Sequence, residues 1–77
     1  MKIEILGTGC PKCEQLAQNA KTAIEELGLT AEVGKVTDIV EIANRGVMMT
    51  PALSVDGEIK LVGKVATAQE LKAIFKS

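Results

Sequence analysis

The chain contains no histidine, no tryptophan and no tyrosine, and a single phenylalanine. Without histidine, the usual general base and a common metal ligand are both absent. Without aromatic platforms, a base-stacking nucleic-acid surface is excluded. An excess of one charge sign is also lacking: nine Lys and Arg stand against ten Asp and Glu, for a net charge of −1. The signs are interspersed, so no basic face is available to track phosphates. No long apolar run is present, and Met1-Lys2-Ile3-Glu4 enters a charged strand directly. Neither a membrane span nor a secretory leader is therefore expected, and the location read is cytoplasmic. The 77 residues predict one domain over 1–77. A chain of that size buries only a little over about 60% of the surface its unfolded form exposes.

Cysteine is scarce as well, and what little there is stands together. Cys10 and Cys13 are the two cysteines of the chain. A bridge between them would close a loop of a few residues, too short to contribute much loop-closure stabilisation. Their use is therefore reactivity, either redox or metal chemistry. They lie where an alternating run, Ile3-Glu4-Ile5-Leu6, passes through Gly7-Thr8-Gly9 into a helical pattern. Pro11 suits a first helical turn, where its missing N–H is not needed. Cys10 is the expected cap. Unpaired N–H groups and the positive end of the helix dipole would push its thiol toward thiolate. The spacing puts both sulfurs on one side of the helix and within disulfide reach. Cys10, at the exposed end, is the expected attacking thiolate. Cys13, one turn in on the apolar face, is the expected resolving thiol. Lys12 between them either lowers a thiol pKa or is simply a solvated helix residue.

The rest of the chain follows from periodicity. Cys13, Leu16, Ala17, Ala20, Ala23, Ile24 and Leu27 recur at helical spacing, which predicts a helix over 11–27 stopped by Gly28. A second strand runs from Ala31 to Val36, and Gly34 invites a bulge. Asp38 and Glu41 resemble a capping box opening a short helix that Gly46 ends. Val47-Met48-Met49-Thr50-Pro51 reads as a loop. Ala52–Val55 and 58–62 form a hairpin about Asp56-Gly57. Thr67 and Glu70 form a second capping box, opening a helix with Leu71, Ile74 and Phe75 on one face. The order β-α-β-α-β-β-α predicts an α/β fold. Its first two strands should be parallel, and helices should cover both faces of a four-stranded mixed sheet.

This order, with Cys-Pro-Lys-Cys at the first strand–helix junction and Thr50-Pro51 before the hairpin, resembles the minimal, glutaredoxin-sized thioredoxin fold. Gly7-Thr8-Gly9-Cys10-Pro11-Lys12-Cys13, Thr50-Pro51-Ala52-Leu53-Ser54-Val55-Asp56-Gly57 and Gly63-Lys64-Val65-Ala66 are similar to the small "redox-active disulfide protein" family. The resemblance implies a thiol–disulfide oxidoreductase that needs no cofactor and no metal. It implies a cis Thr50-Pro51 bond packed against the disulfide, with the backbone before the proline pairing with substrate as an added strand. Pro11, Lys12, Met49, Thr50 and Pro51 are then the residues expected to meet disulfide-containing target proteins. Met48 and Met49 suit an adaptable partner surface, with at least one of them expected in the core. Glu4, six residues before Cys10, occupies the place of a buried acid that moves protons at the resolving cysteine. It would need a raised pKa to do so; the other reading is a rim glutamate. The double-glycine and acidic signature of glutathione binding is replaced by Lys64-Val65-Ala66 after Gly63. The expected electron donor is thus a thioredoxin-reductase-like flavoenzyme, and the expected state a monomer.

Two other readings stand beside this one. Gly7-Thr8-Gly9-Cys10 is similar to the loop of heavy-metal-associated carriers, and two thiolates would suit copper or zinc. Those carriers place two strands between their helices. The third reading is a redox sensor without turnover.

Overall fold

The computed structural model describes residues 1–9 and 11–76. Its elements are β1 (Lys2–Leu6), α1 (Pro11–Leu27), β2 (Glu32–Val36), α2 (Ile39–Asn44), β3 (Ala52–Val55), β4 (Glu58–Val62) and α3 (Ala68–Lys76). One four-stranded sheet runs in the order β2-β1-β3-β4. β1 is parallel to β2 and antiparallel to β3, and β3 is antiparallel to β4. This is the mixed sheet with three helices that the sequence predicts.

The parity of β1 divides the molecule. Ile3 and Ile5 point to one face, where they pack with Leu16, Ala17, Ala20, Ala23 and Ile24 of α1 and with Leu71 and Phe75 of α3. Leu6 points to the other face, where it meets Ile42 of α2, Val47 and Ala52. The small side chains at Ala17, Ala20 and Ala23 let α1 lie close over the sheet and against α3. Leu16 is fully buried there; emptying such a site typically costs about 2–5 kcal/mol.

Local chemistry fixes the ends of the elements. Gly28 takes φ +66°, and Leu29 N–H donates to Ile24 O at 3.1 Å while Gly28 N–H donates to Glu25 O at 3.2 Å. That is a Schellman stop. Asp56 and Gly57 both have positive φ, 52° and 87°, the pair of values that a type I′ hairpin turn requires. At α3 the capping box forms in both directions: Thr67 N–H donates to Glu70 Oε1 and Glu70 N–H to Thr67 Oγ1, each at 3.2 Å. At α2 only half of the box forms. Asp38 Oδ1 accepts from Val40 N–H at 2.9 Å, whereas Glu41 turns away to Arg45, whose Nε donates to it at 3.1 Å.

Two details depart from expectation. The β1–β2 register runs unbroken through Glu4 and Gly34, so Gly34 makes no bulge. The bulge lies in the hairpin, where Leu53 faces Leu61 but Ser54 faces Ile59. Lys60 is the extra residue. Ile59 and Leu61 would share a face in a regular strand; the bulge lets Ile59 pack with the α2 cluster and Leu61 with the α1–α3 cluster.

Candidate functional site

The site lies where β1 runs into α1. Gly7 N–H donates to Val36 O at 2.9 Å, which extends the β1–β2 ladder by one residue. Gly9 has φ +88°, a conformation that glycine adopts without strain, and it turns the chain toward the helix. Pro11 occupies the first helical position and, like Lys12, is exposed. Cys13 follows on the inner face and is buried, with 5% of its surface exposed. Cys10, the expected cap and attacking thiol, lies outside the described residues.

Gly7 decides how close Cys13 can come to the sheet. A Cβ at Gly7 would collide with the sulfur of Cys13 and stand 3.2 Å from its Cβ. It would also stand 3.8 Å from the Cβ of Thr50. Cys13 and Thr50, 37 residues apart in the chain, therefore converge on this one bare backbone position. The Thr50-Pro51 bond is cis, as the resemblance implies. Pro51 is buried and Thr50 exposed, and Pro51 O accepts from Gly63 N–H at 2.8 Å. Met49 lies against Gly63, where a Cβ would come within 3.3 Å of its side chain.

Beside Cys13 is a small, partly open cavity of about 40 Å³, lined by Ile5, Gly7, Gly9, Cys13, Glu14, Lys35 and Thr37. Lys35 Nζ holds both carboxylate oxygens of Glu14, at 2.8 and 3.0 Å. This hydrogen bond, together with the Lys35 charge, holds the Glu14 carboxyl below its ordinary range.

Two expectations need correction. Glu4 does not meet Cys13. By strand parity it lies on the α2 face, whereas Ile5 and Gly7 line the Cys13 cavity. Arg45 binds it there, with Nη1 donating to Oε1 at 2.8 Å and Nη2 to Oε2 at 3.4 Å. The hydrogen bond from Arg45 lowers the Glu4 pKa, outweighing the opposing effect of burial, with the Arg45 and Lys2 charges adding to it. A proton relay would need the opposite shift. Neither Met48 nor Met49 joins the core: they are 92% and 62% exposed. Both follow the short α2, and Ile42 of that helix with Val47 just beyond it already fills the small cluster against Leu6 and Ala52.

Reading the sequence missed Gly7, Arg45 and the Glu14–Lys35 pair. Parity was the available clue to Gly7, since Ile3, Ile5 and Gly7 must share a face. Lys35 lies opposite Ile5 in the parallel register, a placement that no local pattern discloses. Among the described residues no group of three His, Cys, Asp or Glu side chains gathers at metal-binding range. No helix in the described residues is long and apolar enough to cross a membrane.

The chain matches the family described as Thioredoxin domain over residues 1–76. It is 46% identical over 75 residues to a protein named thioredoxin from Methanothermobacter thermautotrophicus, covering 97% of each chain. It is 49% identical over 75 residues to another named thioredoxin from Methanocaldococcus jannaschii, covering 97% of this chain and 86% of that one.

Proposed function

The chain belongs to the thioredoxin family and is a small thioredoxin-like redox protein; from that premise we propose that it reduces protein disulfides through Cys10 and Cys13. The observation that carries the reading is the convergence of Cys13 and Thr50 on Gly7, next to a helix start preceded in sequence by a second cysteine. In the proposed cycle the Cys10 thiolate attacks a target disulfide. One target sulfur leaves as a thiol, and the other remains bonded to Cys10. Cys13 then attacks the Cys10 sulfur, releasing the second target thiol and leaving the Cys10–Cys13 disulfide. Two electrons and two protons from a donor restore the dithiol. Pro11, Lys12, Met49 and Thr50 are exposed around this point and Pro51 is buried beneath it, which supports their role in holding an extended target segment.

The donor in this reading is a thioredoxin-reductase-like flavoenzyme, and the protein acts as a cytoplasmic monomer with no bound cofactor. One strand, not two, separates α1 from α2, an arrangement unlike that of the metal carriers. The test is reduction of insulin disulfides, with the chain recycled either by NADPH and a thioredoxin reductase or by glutathione. Turnover should be faster with the flavoenzyme, and the potential should fall at about −270 to −200 mV. Faster recycling by glutathione overturns the donor assignment; no reduction with either donor or with dithiothreitol overturns the activity.

A further inference from the structure

The fold treats the three methionines of the chain unequally. Met1 stands at the start of β1, beside Thr30 and Asp56, at the end of the strand away from Cys13. Met48 and Met49 stand together before Thr50-Pro51 and are more exposed than Met1, at 92% and 62% against 44%. Met48 borders an open groove with Ile39, Ile42 and Val47, and almost all of its surface is in solvent. Met49 has a seat. Its sulfur would stand 3.5 Å from a Cβ at Gly63, and its terminal methyl 3.3 Å. Gly63, at φ +69°, carries no Cβ, so the thioether rests on bare backbone. The same Gly63 donates its N–H to Pro51 O at 2.8 Å. The Met49 thioether is thus open to a dissolved oxidant and also packed on the residue that pairs with Pro51.

We propose that Met49 is an oxidation site: hydrogen peroxide converts it to methionine sulfoxide, and the modified chain captures target proteins less well. The inference rests on the disulfide-reductase reading and adds to it a control on target capture. In the step the Met49 sulfur gives an electron pair to one peroxide oxygen. An S–O bond forms, the O–O bond breaks, and the other oxygen leaves with the electron pair as hydroxide. It takes the proton that the transferred oxygen sheds and departs as water. Sulfur is oxidised by two electrons and peroxide is reduced by two. The product is a polar, chiral side chain where an apolar, adaptable one stood. On the side of Gly63 the new oxygen has no room, because the sulfur is already at contact distance. On the outer side it puts a strong dipole where a target would meet a thioether. Either way the surface beside Thr50 and Pro51 changes. Met48 oxidises at least as readily, but the contact with Gly63 belongs to Met49.

The test oxidises the chain in its Cys10–Cys13 disulfide form, which shields both thiols from peroxide. Sulfoxide at each methionine is counted by peptide mass spectrometry. The chain is then reduced with dithiothreitol, freed of it, and mixed with insulin over a range of concentrations or with the small disulfide dithiobisnitrobenzoate. Met48 and Met49 should oxidise about threefold faster than Met1 or more, in line with their exposure. Half-saturation by insulin should rise about threefold with sulfoxide at Met49, while the maximal rate and the rate with the small disulfide stay within about twofold. Each variant is compared with its own unoxidised form. Met48→Leu should keep the peroxide-induced rise, and Met49→Leu should abolish it. Methionine sulfoxide reductase should reverse the rise in the wild-type chain. Three results overturn the inference: oxidation of Met49 no faster than that of Met1, an insulin half-saturation that sulfoxide leaves unchanged, or the same rise in Met49→Leu. An equal loss with the small disulfide overturns it too, because that loss would mark damage to the thiols or the fold. An unoxidised chain that reduces neither disulfide counts against the reductase reading. Normal reduction that sulfoxide at Met49 leaves untouched counts against this inference alone.

Discussion

The two faces of the sheet are built in different ways. The α1–α3 face is apolar and continuous: Ile3, Ile5, Leu16, Ala20, Leu53 and Leu71 are all at most 2% exposed. The α2 face has a small cluster around Leu6, Ile42, Val47 and Ala52, and polar groups complete it. Arg45 ties the end of α2 to Glu4 of β1 and to Glu41. Ser54, directly across from Glu4, is fully buried, and its hydroxyl has no partner among the described residues. Beyond this cluster, Ile39, Val40, Met48 and Met49 remain exposed. The contrast teaches a division of work. The large core holds Cys13 rigidly under the helix start. The lightly built face carries the exposed loop, Met48 to Thr50, that would meet a partner.

The sharpest way to break this comparison is to empty each core. Leu16→Ala should cost about 2–5 kcal/mol in urea unfolding, toward the upper end because α1, α3 and the sheet all surround the site. Ile42→Ala should fall at the lower end of that range, because α2 is a helix of six residues and can settle onto the gap. Equal costs would mean that the faces share the load.

A change at Gly7 probes the seam between fold and site. Gly7→Ala should cost about 1–3 kcal/mol by overpacking, with the Cys13 sulfur as the first atom displaced. Insulin reduction should fall by more than stability alone explains, measured well below the unfolding temperature. Retained stability with full activity would mean that the close approach at Gly7 is incidental.

The polar bridge should then show itself through pH. The Glu4 pKa is lowered in the folded chain, so the folded form binds fewer protons there than the unfolded form. Its contribution is present above the unfolded value of about 4.3 and is lost as pH falls through the lower folded value. Glu4→Gln should reduce the melting temperature at neutral pH by a few degrees and flatten its decline in acid. An unchanged acid profile would remove Glu4 from the account of the α2 face. The smallest effect is expected at the exposed rim, where Met48→Gln should leave stability within about 0.5 kcal/mol.

The same division governs what the sequence disclosed. Elements written in local chemistry were legible at once: α1 from its spacing and Gly28, the hairpin from Asp56-Gly57, α3 from Thr67 and Glu70. The cysteine pair and Thr50-Pro51 could be picked out because their residue types carry the meaning. What stayed hidden depends on register between distant segments. That Glu4 meets Arg45 rather than Cys13 follows from which face of β1 it occupies and where α2 ends. That Lys35 reaches Glu14 follows from the β1–β2 pairing. The bulge at Lys60 was equally silent, since the alternation of Ile59 and Leu61 looks regular until the two cores are in place.

The central claim is that the two cysteines do different jobs, and mixed-disulfide trapping tests it most directly. Each single variant is incubated with insulin whose disulfides are intact, and adducts are counted by mass spectrometry alongside alkylation rates across pH. Cys13→Ser should alkylate fast at neutral pH and accumulate a persistent adduct through Cys10, because the resolving thiol is gone. Cys10→Ser should alkylate slowly and trap nothing. A stable adduct through Cys13 in the Cys10→Ser protein, or equal alkylation of the two thiols, would contradict the assignment.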